Sequence, residues 1–98
     1  MLFRSERFGL CDQIRRAVVS IPSNIAEGFG RNSNNDFKRF LSIALGSVYE
    51  LQTQLRIARE LSYISIQEYE TLIDQSKSID RMLFSLIRKL NERNLNDK

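Results

Sequence analysis

Residues 6–29 read ERFGLCDQIRRAVVSIPSNIAEGF, and the spacing of apolar positions in this stretch decides the fold. Leu10, Ile14, Ala17, Val18, Ile21 and Ile25 recur every three or four residues, the period of an α-helix. Val19, Pro22 and Ala26 widen the stripe to an arc of roughly 200°, about twice that of an ordinary surface helix. The remaining arc is a polar line of Gln13, Arg16, Ser20, Asn24, Glu27 and Arg31. A helix over 6–29, with Ser5 as its cap, therefore needs two neighbours or a subunit contact to bury its apolar side. Pro22 stands inside it. Proline cannot donate to the carbonyl of Val18 and its ring crowds that turn, so a kink or break is expected. Ser20, Ser23 and Asn24 are close enough to supply replacement hydrogen bonds. The other reading makes Pro22 the first turn of a new helix.

Two further helices follow from the same period. Ser33 and Asp36 form a cap ahead of Phe37, Phe40, Leu41, Ala44, Val48, Leu51, Leu55 and Ala58, which places a helix at 34–62. Ile43, Ile57 and Leu61 form a second apolar line on it, so neighbours are expected on more than one side. Gly46, unfavourable by about 1 kcal/mol against alanine in a helix, suggests close packing at its turn. Ser65-Ile66-Gln67-Glu68 fits a capping box, and the stripe Tyr69, Leu72, Ile73, Ile79, Leu83, Leu86, Ile87 and Leu90 extends a third helix over 66–92. The polar tail Asn94–Lys98 is expected to fray. The short Ser62–Ser65 link favours antiparallel neighbours. The expectation is a single domain over 1–98: an all-α, antiparallel, up-and-down helical bundle with three long helices.

Composition narrows the chemistry. Ninety-eight residues, 42% hydrophobic and 28% charged, suit one soluble globular domain. No run of eighteen apolar residues is present, which excludes a membrane-spanning helix, and the start lacks a signal peptide's apolar region, so a cytoplasmic protein is expected. With no histidine and the single Cys11, an intrachain disulfide, a histidine-based triad and the usual zinc sites are excluded. Gly28-Phe29-Gly30-Arg31 fails as a phosphate loop, since Ser33 stands where a third glycine belongs; Gly28 and Gly30 are expected to end the helix in a left-handed cap. Cys11 is expected to be buried packing, and Tyr49, Tyr63 and Tyr69 to be core edges or subunit contacts. No catalytic residues, metal or cofactor are expected, and the chain is not expected to be an enzyme.

Charge is placed unevenly. The net +3 lies wholly in residues 1–49, with seven basic against four acidic side chains, while 50–98 hold eight of each. Arg15, Arg16, Arg31, Lys38 and Arg39 form a candidate nucleic-acid-binding set, since guanidinium pairs well with phosphate and stacks on bases. The competing reading pairs them with Asp12, Glu27, Asp36 or Glu50. Ser20, Asn24 and Glu27 are expected to be a structural polar network, with Asn24 serving the backbone near Pro22 and Glu27 bonding Arg16 or Arg31.

The segment QIRRAVVSIPSNIAEGFGR (13–31), its lead-in ERFGL (6–10) and the continuation FKRFLSIALGSVYEL (37–51) resemble a bacterial family of four-helix bundle proteins. The family was first named for reading frames in intervening sequences of 23S ribosomal RNA genes. The match runs from about Ser5 to Ile64; the last helix matches in pattern only. The resemblance implies a non-enzymatic protein that assembles into small rings, commonly pentamers. It also implies kinship with the accessory variability determinant of diversity-generating retroelements, which binds a reverse transcriptase and presents a basic surface to nucleic acid. The expected function is thus an oligomeric bundle binding RNA through its arginines; the alternative is a scaffold for a protein partner. In the family pattern a further long helix precedes the position of Phe8. Only Met1–Arg7 stand there here, so an apolar groove is expected where that helix packs.

Overall fold

The computed structural model describes residues 2–96, with side-chain surroundings for residues 6–93. Within them the chain forms three helices and no strand: α1 (Leu2–Phe29), α2 (Asn34–Glu60) and α3 (Ile66–Asn96). Consecutive helices run antiparallel. Ser20 near the C-terminal half of α1 bonds Ser47 of α2 (Oγ···Oγ 2.8 Å), while Arg7, near the start of α1, lies over the ring of Tyr63 beyond the end of α2. Lys38 at the start of α2 donates to Asn91 near the end of α3 (2.8 Å), and Gln52 donates to Asp80 (2.7 Å). This is the all-α, up-and-down architecture expected from the periodicity.

The helix ends follow local side-chain chemistry. Ser33, extended at φ −128° and ψ 149°, accepts from the amide of Asp36 (3.1 Å) and starts α2. At the other end Ser62 takes φ 61°. The Ser62 amide donates to Arg59 O (2.9 Å) and the Tyr63 amide to Ala58 O (2.8 Å), which satisfies two terminal carbonyls and turns the chain. The capping box of α3 is complete: the Glu68 amide donates to Ser65 Oγ (3.0 Å) and the Ser65 amide to Glu68 Oε1 (2.8 Å). The bond from the Ser65 backbone, and after it the Ser65 side chain, hold the Glu68 carboxyl below its ordinary 4.5. A depressed carboxyl stabilises the fold fully above the ordinary value and loses that contribution as pH falls through the lowered one. The melting-temperature gap between the native chain and Glu68→Gln is therefore expected to shrink below about pH 4.5. A gap that stays constant on acidification would remove the ionised carboxylate from the cap.

Several local expectations are corrected. α1 begins at Leu2, ahead of Ser5, so Ser5 lies within the helix and does not cap it. α1 also runs unbroken through Pro22. Asn24 Nδ2 donates to the carbonyl of Ser20 (2.8 Å) and contacts Ser20 Oγ (3.0 Å), supporting the ladder next to the defect. α3 continues to Asn96, beyond the expected end at 92; residues 97–98 lie outside the described ones. No glycine among the described residues has a positive φ, so Gly28 and Gly30 are not left-handed caps. Gly28 is instead a point of close approach. A Cβ there would stand 2.7 Å from Phe40 Cβ and 3.1 Å from the Phe37 ring. Gly46 is the reverse: among the described residues nothing lies within 4 Å of where its Cβ would be.

The core runs along one seam of α2. Leu41, Ala44 and Val48 are fully buried between Ile21 of α1 and Leu83 and Leu90 of α3, with Ile25, Phe37, Leu45, Leu51, Ile79 and Ile87 around them. Phe40 and Ser47 meet α1, whereas Lys38, Gln52 and Arg59 meet α3, so the two neighbours sit on different sides of α2. No Cα of α1 comes within 8 Å of a Cα of α3 among the described residues. The molecule is accordingly a slab of 57 × 22 × 14 Å with α2 in the middle. The outer line Ile43, Ile57 and Leu61 is exposed, so the neighbours of α2 within the chain leave that side bare.

Candidate functional site

The separation of α1 from α3 opens an apolar groove of about 560 Å³ over the α2 seam. Ile14, Val18, Pro22 and Ile25 form one wall, and Leu72, Gln75, Ile79 and Met82 form the other. Leu51 and Leu55 lie at its floor. The groove exists because the apolar arc of α1 is wider than α2 can cover. Ala17 and Ile21 are buried against α2, yet Val18 remains 47% exposed, Val19 60% and Phe29 79%. Met82 is 64% exposed on the opposite wall. The groove expected from the first helix is therefore present. Its α3 wall was not singled out in the sequence. The signal lay in Leu72, Ile79 and Leu86, spaced by seven, with Met82 beside them: a second line at the edge of the α3 stripe.

Cys11 corrects another expectation. It is exposed, not buried. It precedes Val18 by seven residues and Pro22 by eleven, so it continues the uncovered line of α1. Tyr49 is exposed on the outer side of α2, while Tyr63 and Tyr69 are half-buried under Arg7 and Arg59 respectively.

The five basic candidates do not form one surface. Arg31 and Arg39 converge on the ring of Phe40, with guanidinium carbons 5.0 and 4.6 Å from its centroid. Arg31 also pairs with Glu27 (2.6 Å) and Arg39 with Asp36 (4.0 Å). Arg15 and Arg16 lie further back along α1, and Arg16 pairs with Asp12 (3.1 Å). Lys38 is on the other side of α2, bonded to Asn91. All three ion pairs are exposed, where such pairs contribute little to stability. Ser20, Asn24 and Glu27 split in two: Ser20 and Asn24 join the Ser47 network between α1 and α2, and Glu27 serves Arg31 alone. Among the described residues no group of three or more carboxylates and thiols is placed to hold a metal, and no helix is long and apolar enough to cross a membrane.

Comparison with known proteins matches this geometry to a family. No curated protein matches the chain significantly. The crystal structure of a protein of unknown function from the S23 ribosomal protein family of Bacteroides thetaiotaomicron superposes with a TM-score of 0.79. It is 33% identical, over 81% of this chain and 70% of that one. A family model described as 23S rRNA-intervening sequence protein matches residues 2–85, through all of α1 and α2 and most of α3. With a match of that extent, the chain belongs to the 23S rRNA-intervening sequence protein family.

Proposed function

We propose that this protein is a non-enzymatic helical scaffold that assembles with copies of itself and holds a protein partner through the apolar face between α1 and α3. The observation that carries this reading is the groove itself. A wall of Val18, Pro22, Leu72 and Met82 open to water is costly for a lone small domain, and patches of this kind mark interaction sites. The ring-forming habit implied by the family resemblance, commonly a pentamer, agrees with it. The basic side chains support it less directly: three of the five candidates already have a carboxylate partner.

Light scattering on the purified chain at micromolar concentration is expected to give a mass above that of one 11.5 kDa subunit. Val18→Glu is expected to lower that mass while leaving helical ellipticity intact, because Val18 is already half open to solvent in the single chain. A stable monomer, or an assembly indifferent to Val18→Glu, would refute the reading.

One observation favours RNA contact as a second reading. Arg31 and Arg39 present two guanidinium groups on one aromatic ring, an arrangement suited to phosphate and base stacking, and the family description names 23S rRNA. This reading predicts RNA binding that weakens steeply with salt and drops on the double change Arg31→Glu and Arg39→Glu. Binding unaffected by that double change would exclude the Phe40 cluster as the contact.

A further inference from the structure

We infer that the outer face of α2 is a twofold contact, on which a second copy of this chain lays its own α2 antiparallel. Such a contact belongs to the self-assembly proposed above and rests on that reading. Arg39, Ile43, Gly46, Glu50, Thr53, Ile57 and Glu60 follow one another at alternating steps of four and three residues. That is the seam spacing of a helix paired with another helix. All seven are exposed, over a length of about 32 Å at 1.5 Å per residue. The line is turned away from Leu41, Leu51 and Leu55, which face the core and the groove floor, so an occupant of the groove does not reach it.

The occupant follows from the order of residues along the line. Ile43 with Ile57 (43% and 41% exposed), Gly46 with Thr53, and Arg39 with Glu60 are three pairs that share a midpoint at Tyr49–Glu50. Two copies laid antiparallel about that midpoint set Ile43 on Ile57, Gly46 on Thr53 and Arg39 on Glu60, each twice. That is the self-matching a twofold interface requires. In a parallel pair Arg39 would meet Arg39 and Glu60 would meet Glu60, so the end charges select the antiparallel sense. Shape agrees with charge. A glycine inside a helix is unfavourable for the single chain, and the open space beside Gly46 lets a second backbone come close. Thr53, its counterpart, already donates its hydroxyl to the Tyr49 carbonyl (3.2 Å) and makes no demand on the partner. Glu50, at the midpoint, is drawn aside by the side-chain amide of Gln54 (3.2 Å), a buried residue of the same helix. Tyr49, and Phe84 one turn past the Asp80 that accepts from Gln52, add exposed aromatic area along the α3 edge.

The test uses the full chain with Cys11→Ser, which removes its one thiol. Gly46→Cys is made in one preparation and Thr53→Cys in another, both at exposed positions. In the antiparallel pair position 46 of one copy meets position 53 of the other. Like positions stand seven residues, about 10 Å, apart along the axis, beyond disulfide reach. Mild oxidation at micromolar concentration is expected to give a covalent dimer from the mixture at least about tenfold faster than from either preparation alone, with ellipticity unchanged. By light scattering, Val18→Glu is expected to reduce the native assembly to a pair, and Val18→Glu with Ile57→Lys to one subunit. Each preparation cross-linking alone as fast as the mixture would mean parallel helices and overturns the pairing. If the mixture does not cross-link while Val18→Glu still lowers the mass of the native assembly, α2 is not the contact and the scaffold reading stands. If the mixture cross-links and Val18→Glu leaves the mass unchanged, the pairing stands and the scaffold reading falls. A stable monomer removes both.

Discussion

Leu41→Ala is expected to destabilise the chain by about 2–5 kcal/mol, a large part of the roughly 5–15 kcal/mol that holds a domain of this size together. Leu41 is 0% exposed at the centre of the seam where α2 meets both neighbours. Truncating it removes a methine and two methyl groups from the core and leaves a cavity that Ile21 and Leu83, fixed on separate helices, cannot both close. Met82→Ala removes a similar volume from the groove wall, where the side chain is largely solvated, and is expected to change stability by no more than about 0.5 kcal/mol in the isolated chain. Urea unfolding of the two variants side by side measures the difference. Equal losses would mean that the seam of α2 is not the core. A large loss at Met82 only under assembling conditions would place that side chain in an interface.

The parts of this fold that were legible in the sequence are those whose chemistry is local. Ser33 with Asp36, and Ser65 with Glu68, are three residues apart, and their hydrogen bonds require only that the chain enter a helix. The apolar arc of α1 was equally plain, because periodicity reports which side chains share a face. Periodicity does not report whether that face is covered. Cys11 illustrates this: burial is the default expectation for a lone thiol, yet it sits on the Val18–Pro22 line, which no described helix covers. The basic set was misgrouped for a related reason. Lys38 and Arg39 are neighbours in sequence but about 100° apart on α2, so one turns to Asn91 of α3 and the other to Phe40. Arg15 and Arg16 are likewise about 100° apart on α1, and it is Arg16 that reaches Asp12. Of the two arginines expected for Glu27, Arg16 and Arg31, the structure pairs it with Arg31, four residues on along the same side, a contact that needs no tertiary information.

Gly28 and Gly46, two of the three helical glycines, test the packing of α1 on α2 with one chemical change made twice. Gly46→Ala is expected to stabilise the chain by about 0.5–1 kcal/mol, since the added methyl meets nothing within 4 Å and alanine restricts the unfolded backbone. Gly28→Ala is expected to destabilise it by about 1–3 kcal/mol even after that helix gain, because the methyl would stand 2.7 Å from Phe40 Cβ. That atom is tied to the α2 backbone, so the clash is relieved only by moving one helix from the other. Denaturant midpoints for the two variants in one buffer decide the matter. If both alanines stabilise, α1 does not approach α2 as closely as Gly28 permits, and the groove that depends on this approach loses its α1 wall. If Gly46→Ala yields a more stable subunit that no longer assembles, the bare side of α2, with Ile43 and Ile57, is a subunit contact where another backbone comes close.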